Sequence, residues 1–266
     1  MKINVRNLSF GYSGKTIFDN LSADLDGGES GRPLMVLGPS GSGKTTLLKL
    51  LGGLLKTQTG EIRFSGEPAA EEERPPNTPH TPKTAFMFQE SRLLPWLTVL
   101  ENVSLPLIKL FGREESPQRA RHFLSLVSLE EKEGVFPREL SGGEAQRVSM
   151  ARAFAWPAPA LFMDEPFQSL DVPLRISLMD LTLSLLEKEN FSRKDFLREK
   201  RLLIAVTHDP REAVYMGGRI IVLGRPGEGI VFDRLVDLCG VDRAYGSAAA
   251  VELEKEIIEI LRNPHA

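Results

Sequence analysis

Apolar residues in this chain gather into short unbroken runs, each ending at polar residues. Leu34 to Leu37 ends at Gly38, Thr84 to Phe88 at Gln89, Ala160 to Met163 at Asp164, and Leu202 to Val206 at Thr207 and His208. Runs of this length without alternation suit buried parallel strands covered on both faces. Helix-like segments lie between them, for example Lys44 to Leu51 and Pro173 to Glu189. The alternation predicts an α/β domain with a mainly parallel sheet. Ligands of such sheets gather beyond the carboxyl ends of the strands, so all four polar runouts are expected on one edge.

The pattern changes between Ser91 and Ala155. Candidate helices follow one another over Thr98 to Lys109, Ser116 to Ser128 and Gly142 to Ala155, which reads as a helical subdomain (91–155) inserted into an α/β core (1–90 and 156–240). The first residues alternate like a strand, and residues 241–266 form a tail with helical spacing from Val251 to Leu261. Glu67 to Lys83 is rich in Pro and Glu and buries too little apolar surface to order itself. Asn190 to Arg201 is charged and reads as a solvated face or loop.

Composition narrows the class. With 266 residues, 41% hydrophobic and 26% charged, the chain supports a sizeable core. The formal net charge of -3 gives no sign of a nucleic-acid surface. The single cysteine excludes an intrachain disulfide and fits a reducing compartment. No apolar run reaches the roughly 20 residues needed to span a bilayer, and the N-terminus lacks a signal-peptide core. The expectation is a cytoplasmic protein.

Three stretches carry chemistry. Gly38-Pro39-Ser40-Gly41-Ser42-Gly43-Lys44-Thr45 fits G-x-x-x-x-G-K-[ST], after a strand and before the helix that Thr46 begins. Its glycines let backbone N–H groups converge, and the helix N-terminus adds positive potential. Lys44 then reaches the β- and γ-phosphates, and the Thr45 hydroxyl binds magnesium. A plain Gly/Ser turn explains neither the strand before nor the helix after. Second, Asp164 and Glu165 end a buried run: Asp164 is placed to hold magnesium, and Glu165 to activate a water as general base. Third, Leu140-Ser141-Gly142-Gly143-Glu144 precedes a helix. Ser141 and Glu144 match a capping box, yet two glycines weaken a helix start by about 1 kcal/mol each. That cost makes sense if bare backbone approaches a ligand, and both readings hold together.

In this order, with Gln89 between and Ser169-Leu170-Asp171 and His208 after, the motifs resemble the nucleotide-binding domain of ABC transporter ATPases. The resemblance implies a P-loop NTPase fold with an N-terminal antiparallel β part and the inserted helical subdomain. Its cofactors are ATP and Mg2+. It implies that Tyr12 stacks on adenine, that Gln89 touches magnesium and the attacking water and senses the membrane partner, and that His208 contacts the γ-phosphate. Two copies meet head to tail, Ser141-Gly142-Gly143 acting on the partner's ATP and Asp171 lying near the interface. Other implied partners are integral membrane permease subunits and, indirectly, an extracytoplasmic solute-binding protein, with the chain peripheral on the inner face of the cell membrane. The stretch from Phe86 to Val103 is similar to nitrate/sulfonate/taurine importers, where Leu93, Leu94 and Trp96 either border the permease groove or pack the helical part. The segments 67–83 and 190–201 depart from that group. The alternative is a non-transport ABC ATPase of repair or translation, against which stand the absence of sustained heptads and the single motif set. A P-loop kinase leaves Ser141-Gly-Gly and Asp164-Glu165 unexplained.

Overall fold

The computed structural model describes residues 1–28, 30–65, 84–168, 170–192 and 201–263. The N-terminal third builds an antiparallel sheet in the order β2-β1-β4, from β1 (Ile3–Tyr12), β2 (Lys15–Leu25) and β4 (Thr59–Phe64). The main sheet has the order β5-β6-β7-β3-β8-β9. Its parallel strands are β3 (Leu34–Leu37), β5 (Thr84–Met87), β6 (Ala160–Asp164), β7 (Leu202–Val206) and β8 (Arg219–Leu223). Every residue of β3, β6 and β7 is buried, as unalternating runs require. Two strands not anticipated from the apolar runs complete the sheet: β8, and β9 (Ile230–Leu235), which pairs antiparallel with β8.

Helix α1 (Lys44–Leu51) lies between the sheets. Leu47, Leu48, Leu50 and Leu51 share one apolar cluster with Ile3, Val5 and Phe18 of the antiparallel sheet and Val36, Phe162 and Val206 of the parallel one. The opposite face of the parallel sheet is covered by a second cluster, which includes Val99, Val103, Leu124, Phe154, Met179 and Val214. It joins α2 (Val99–Ser104), α3 (Ile108–Leu126), α4 (Gly142–Ala155), α5 (Val172–Ser192) and α6 (Pro210–Met216). The last helix, α7 (Ala248–Arg262), packs on α6.

Two expectations are corrected. The segment 98–109 is not one helix: α2 stops at Ser104, a single 3-10 turn spans Leu105–Leu107, and α3 follows. Pro106 has no N–H to extend α2, and α3 is itself interrupted at Gly112 (φ 75°, ψ 175°). Nor is 190–201 a solvated loop at its ends. Helix α5 continues to Ser192, and Arg201 is only 3% exposed. The Arg201 guanidinium donates to the carbonyls of Ala153 (3.2 Å), Phe154 (3.3 Å) and Trp156 (2.7 Å), supplying donors that the buried end of α4 lacks. The Pro/Glu-rich segment expected to be a loop lies outside the described residues.

Candidate active site

The loop from Gly38 to Gly43 leaves β3 and turns into α1. Gly43 has φ 98°, and a Cβ there would meet Ile17 Cγ2 at 2.4 Å and Phe18 Cζ at 2.9 Å, so the antiparallel sheet presses directly on the loop. At Gly38 a Cβ would meet the backbone oxygen of Leu223 at 2.7 Å. Only glycine satisfies both positions. Ser42 is buried, and its Oγ has no hydrogen-bond partner, which suits a cradle for an oxygen-rich ligand. Lys44 lies under the loop, its Nζ donating to Gly38 O at 2.8 Å and Pro39 O at 3.0 Å. Burial lowers the pKa of this amine, while Glu165 and Asp164 act in the opposite sense.

Across the rim, Thr45 Oγ1 donates to Asp164 Oδ1 at 2.9 Å. Asp164 is 8% exposed, and burial pushes its carboxyl above the usual range, with Glu165 adding to the rise. A cation beside it would relieve that cost. Two hard oxygen donors in contact at the end of a buried strand fit magnesium, which takes one or two carboxylates plus substrate phosphates.

The next residue, Glu165, adopts φ 46°, a left-handed conformation that costs a non-glycine residue about 1–2 kcal/mol. Its N–H is held by Val206 O at 3.0 Å, and its Oε2 lies 3.1 Å from His208 Nδ1. The strain aims the carboxylate along the rim at the histidine from β7. Gln89, just past β5, donates from its amide to Gln168 Oε1 on the same rim. Lys44, Thr45, Gln89, Asp164, Glu165 and His208 are thus gathered at the carboxyl ends of β3, β5, β6 and β7.

Three groups stand apart. Tyr12 is exposed at the β1–β2 hairpin, its ring set edge-on against Phe10. Asp171 is exposed and accepts Leu174 N at 2.9 Å, capping α5; Ser169 lies outside the described residues. Ser141 heads α4 in a complete capping box with Glu144: its Oγ accepts Glu144 N at 3.3 Å, and Glu144 Oε2 accepts Ser141 N at 2.9 Å. A Cβ on Gly143 would meet Leu174 Cδ2 at 2.8 Å, so its bareness also brings α4 close to α5, whereas Gly142 faces open space. Leu140 packs against the core.

Sequence reasoning overlooked several groups around the rim. Gln146 of α4 donates to Pro166 O at 2.5 Å, joining this helix to the loop after Glu165. Arg152, further along α4, donates to Ser91 O at 2.7 Å and Arg92 O at 2.9 Å in the segment after Gln89. The Thr207 hydroxyl donates to Glu212 Oε2 at 2.5 Å. Thr207 adjoins a singled-out histidine, which offered a clue; no spacing flags the other three.

Comparison with known proteins establishes the family. Residues 18–168 match the ABC transporter family. The chain is 34% identical over 256 residues to the aliphatic sulfonates import ATP-binding protein SsuB of Shigella sonnei, covering 96% of this chain and 89% of that protein. It is 34% identical over 248 residues to SsuB of Corynebacterium glutamicum, covering 92% and 89% respectively. Among solved structures, the dimeric post-hydrolysis state of the ATP-binding cassette MJ0796 bound to ADP and Pi superposes with a TM-score of 0.70 at 28% identity, over 89% of this chain and 100% of that one. The chain belongs to the ABC transporter family, as one of its ATP-binding, ATP-hydrolysing subunits.

Proposed function

We propose that this subunit drives import of a small anionic organic solute of the sulfonate type, by binding ATP between two copies of itself. The observation that carries the catalytic part is the rim on which Thr45 meets Asp164 and Glu165 meets His208. The loop from Gly38 to Gly43, the first turn of α1 at Thr46 and the Lys44 amine orient the β- and γ-phosphates, and Tyr12 stacks on adenine. Thr45, Asp164 and Gln89 would hold magnesium, which supplies charge neutralisation across those phosphates. Glu165 takes a proton from the water that attacks the γ-phosphorus; the bond to the ADP oxygen breaks, leaving ADP and phosphate. His208 donates to the γ-phosphate.

The dimer follows from two supports. Ser141 and Gly142 are exposed at the head of α4, with the Ser141 side chain bonded to Glu144 and not to this chain's own rim. The MJ0796 cassette is dimeric in its post-hydrolysis state. For import, the support is the naming of the sulfonate relatives and an exposed apolar surface. Trp96 is 68% exposed, with Leu105 and Leu110 also exposed on the neighbouring helical segments. We assign this surface to a membrane permease, which puts the chain at the cytoplasmic face. Among the described residues, no helix is long and apolar enough to cross a membrane.

The test of the catalytic part is Glu165→Gln. It should retain ATP binding while turnover falls ~10²–10⁴-fold, the range of a positioned general base. Hydrolysis near the wild-type rate would remove Glu165 from the role. Co-purification with a polytopic membrane protein supports the importer reading; recovery with ribosomes or DNA instead would favour the repair or translation alternative.

A further inference from the structure

We infer that Arg175 is a positioning residue for His208, and that it joins the segment ending at Asp171 to the turn that carries the histidine. The inference rests on the reading of His208 given above. Arg175 stands in the first turn of α5, and each side of its guanidinium has a separate task. Nη1 donates to Asp209 Oδ2 at 2.9 Å, Nη2 donates to Leu170 O at 3.1 Å, and Nε faces Glu212 Oε1 at 3.6 Å.

Both chain neighbours of His208 are thereby fixed. On one side, the Thr207 hydroxyl donates to Glu212 Oε2 at 2.5 Å, and Thr207 N donates to Val36 O at 3.1 Å. On the other, Asp209 is held by Arg175, and its N–H donates to Thr207 Oγ1 at 3.1 Å. The histidine between them is exposed and touches Glu165. Its direction is therefore set by the backbone on which it stands.

The chemistry calls for an arginine. Glu212 is 4% exposed and Asp209 is largely covered, so two carboxylates lie close together with little water. A planar fork with several donors bridges both and still reaches the Leu170 carbonyl, whereas an ammonium acts as a point charge. Arg211 also pairs with Asp209, at 2.9 Å, but it sits on the same turn and cannot fix that turn relative to α5. Asp171 caps α5 through Leu174 N, and its carbonyl accepts Arg175 N at 2.9 Å. Arg175 thus ties residues 170–171 to the turn over residues 207–209.

The test uses the full chain with Arg175→Ala, Arg175→Lys, Thr207→Val, His208→Ala and the double variant Arg175→Ala/His208→Ala. ATP affinity and steady-state turnover are measured for each. Arg175→Ala should leave ATP affinity near wild type and lower kcat about tenfold, part of the ~10²–10³-fold that one preorganised hydrogen-bond donor contributes. Arg175→Lys should recover part of that loss. The double variant should be no slower than His208→Ala, because the arginine acts through the histidine. A double variant slower than His208→Ala by the whole Arg175→Ala factor overturns the inference, as does normal turnover in Arg175→Ala when His208→Ala is inactive. Normal turnover in His208→Ala refutes the role of His208 and this inference with it. If Arg175→Ala does not fold, Thr207→Val decides: it cuts the other anchor without changing charge, and an unchanged kcat there refutes the positioning of His208 by its neighbours.

Discussion

At the scale of single residues, Glu144 shows how a capping residue becomes pH-dependent. Lys132 Nζ contacts its Oε1 at 2.5 Å, and Ser141 occupies its Oε2. The Lys132 hydrogen bond, then those of Ser141, lower the pKa from 4.5 to about 2. Because the folded-state value is the lower one, the unfolded chain binds more protons in that window. The stabilisation is complete above pH 4.5 and is lost as the pH falls toward about 2. Lys132→Met removes the largest cause, so thermal melting followed through this window should show a shallower acid loss than wild type. An unchanged acid limb excludes Lys132 from holding the box. Residue identity alone made Lys44, Thr45 and Asp164 legible, because the spacing of their motifs is tied to phosphate geometry. It did not reveal that Gly143 also packs close to Leu174, which lies on another helix.

At the scale of elements, the loop between β5 and α2 is unusually well held for a segment that exposes a tryptophan. Asn102, buried in α2, accepts Leu94 N at 2.7 Å and shares its amide among Leu94 O (3.1 Å), Leu97 O (3.0 Å) and Thr98 O (3.0 Å). Arg152 of α4 holds the carbonyls just before it. Trp96 is therefore presented on a fixed turn, as suits docking more than adaptation. Asn102→Ala should cost about 1–3 kcal/mol of stability by leaving buried backbone groups unpaired. ATP binding should persist while co-purification with the permease declines. Calorimetric melting with a pull-down reads both, and wild-type stability would show that the network holds nothing. None of this was anticipated from the sequence, where 98–109 reads as one helix. Pro106 offered a local cue to the break, but the inward turn of Asn102 depends on packing against α3 and α4.

At the scale of the whole molecule, the rim and the head of α4 belong to different parts of one chain, and the proposed dimer is what would unite them. Ser141→Arg in one protomer should therefore impair hydrolysis at the phosphate loop of the other. Mixed dimers pairing Ser141→Arg with a Lys44→Ala partner separate the cases. If Ser141 acts across the interface, the single intact phosphate loop sits on the Ser141→Arg protomer and meets an intact Ser141 from its partner. Such dimers should keep about half the wild-type rate, as expected when one of two sites survives and the sites act independently. Loss of all turnover in these dimers would mean that Ser141 serves its own loop or that the two sites cannot fire singly. Placing both substitutions in one protomer resolves that choice, since the trans arrangement then disables both sites.

Order and spacing of side chains along the chain determined the strand, the glycine turn and the helix start to which we assign the polyphosphate, because these are local structures with local signatures. Buried parallel strands were legible for the same reason: covering both faces removes polar residues from the run itself. Tertiary structure alone decided the supports, namely Arg175 against Asp209, Arg201 at the end of α4, Leu174 against Gly143 and Asn102 behind the turn that carries Trp96. The first three join residues far apart in sequence, and Asn102 joins a turn to the helix after it, through a buried charge, a helix-end carbonyl or a close contact. Those demands arise only once the helices and sheets are stacked.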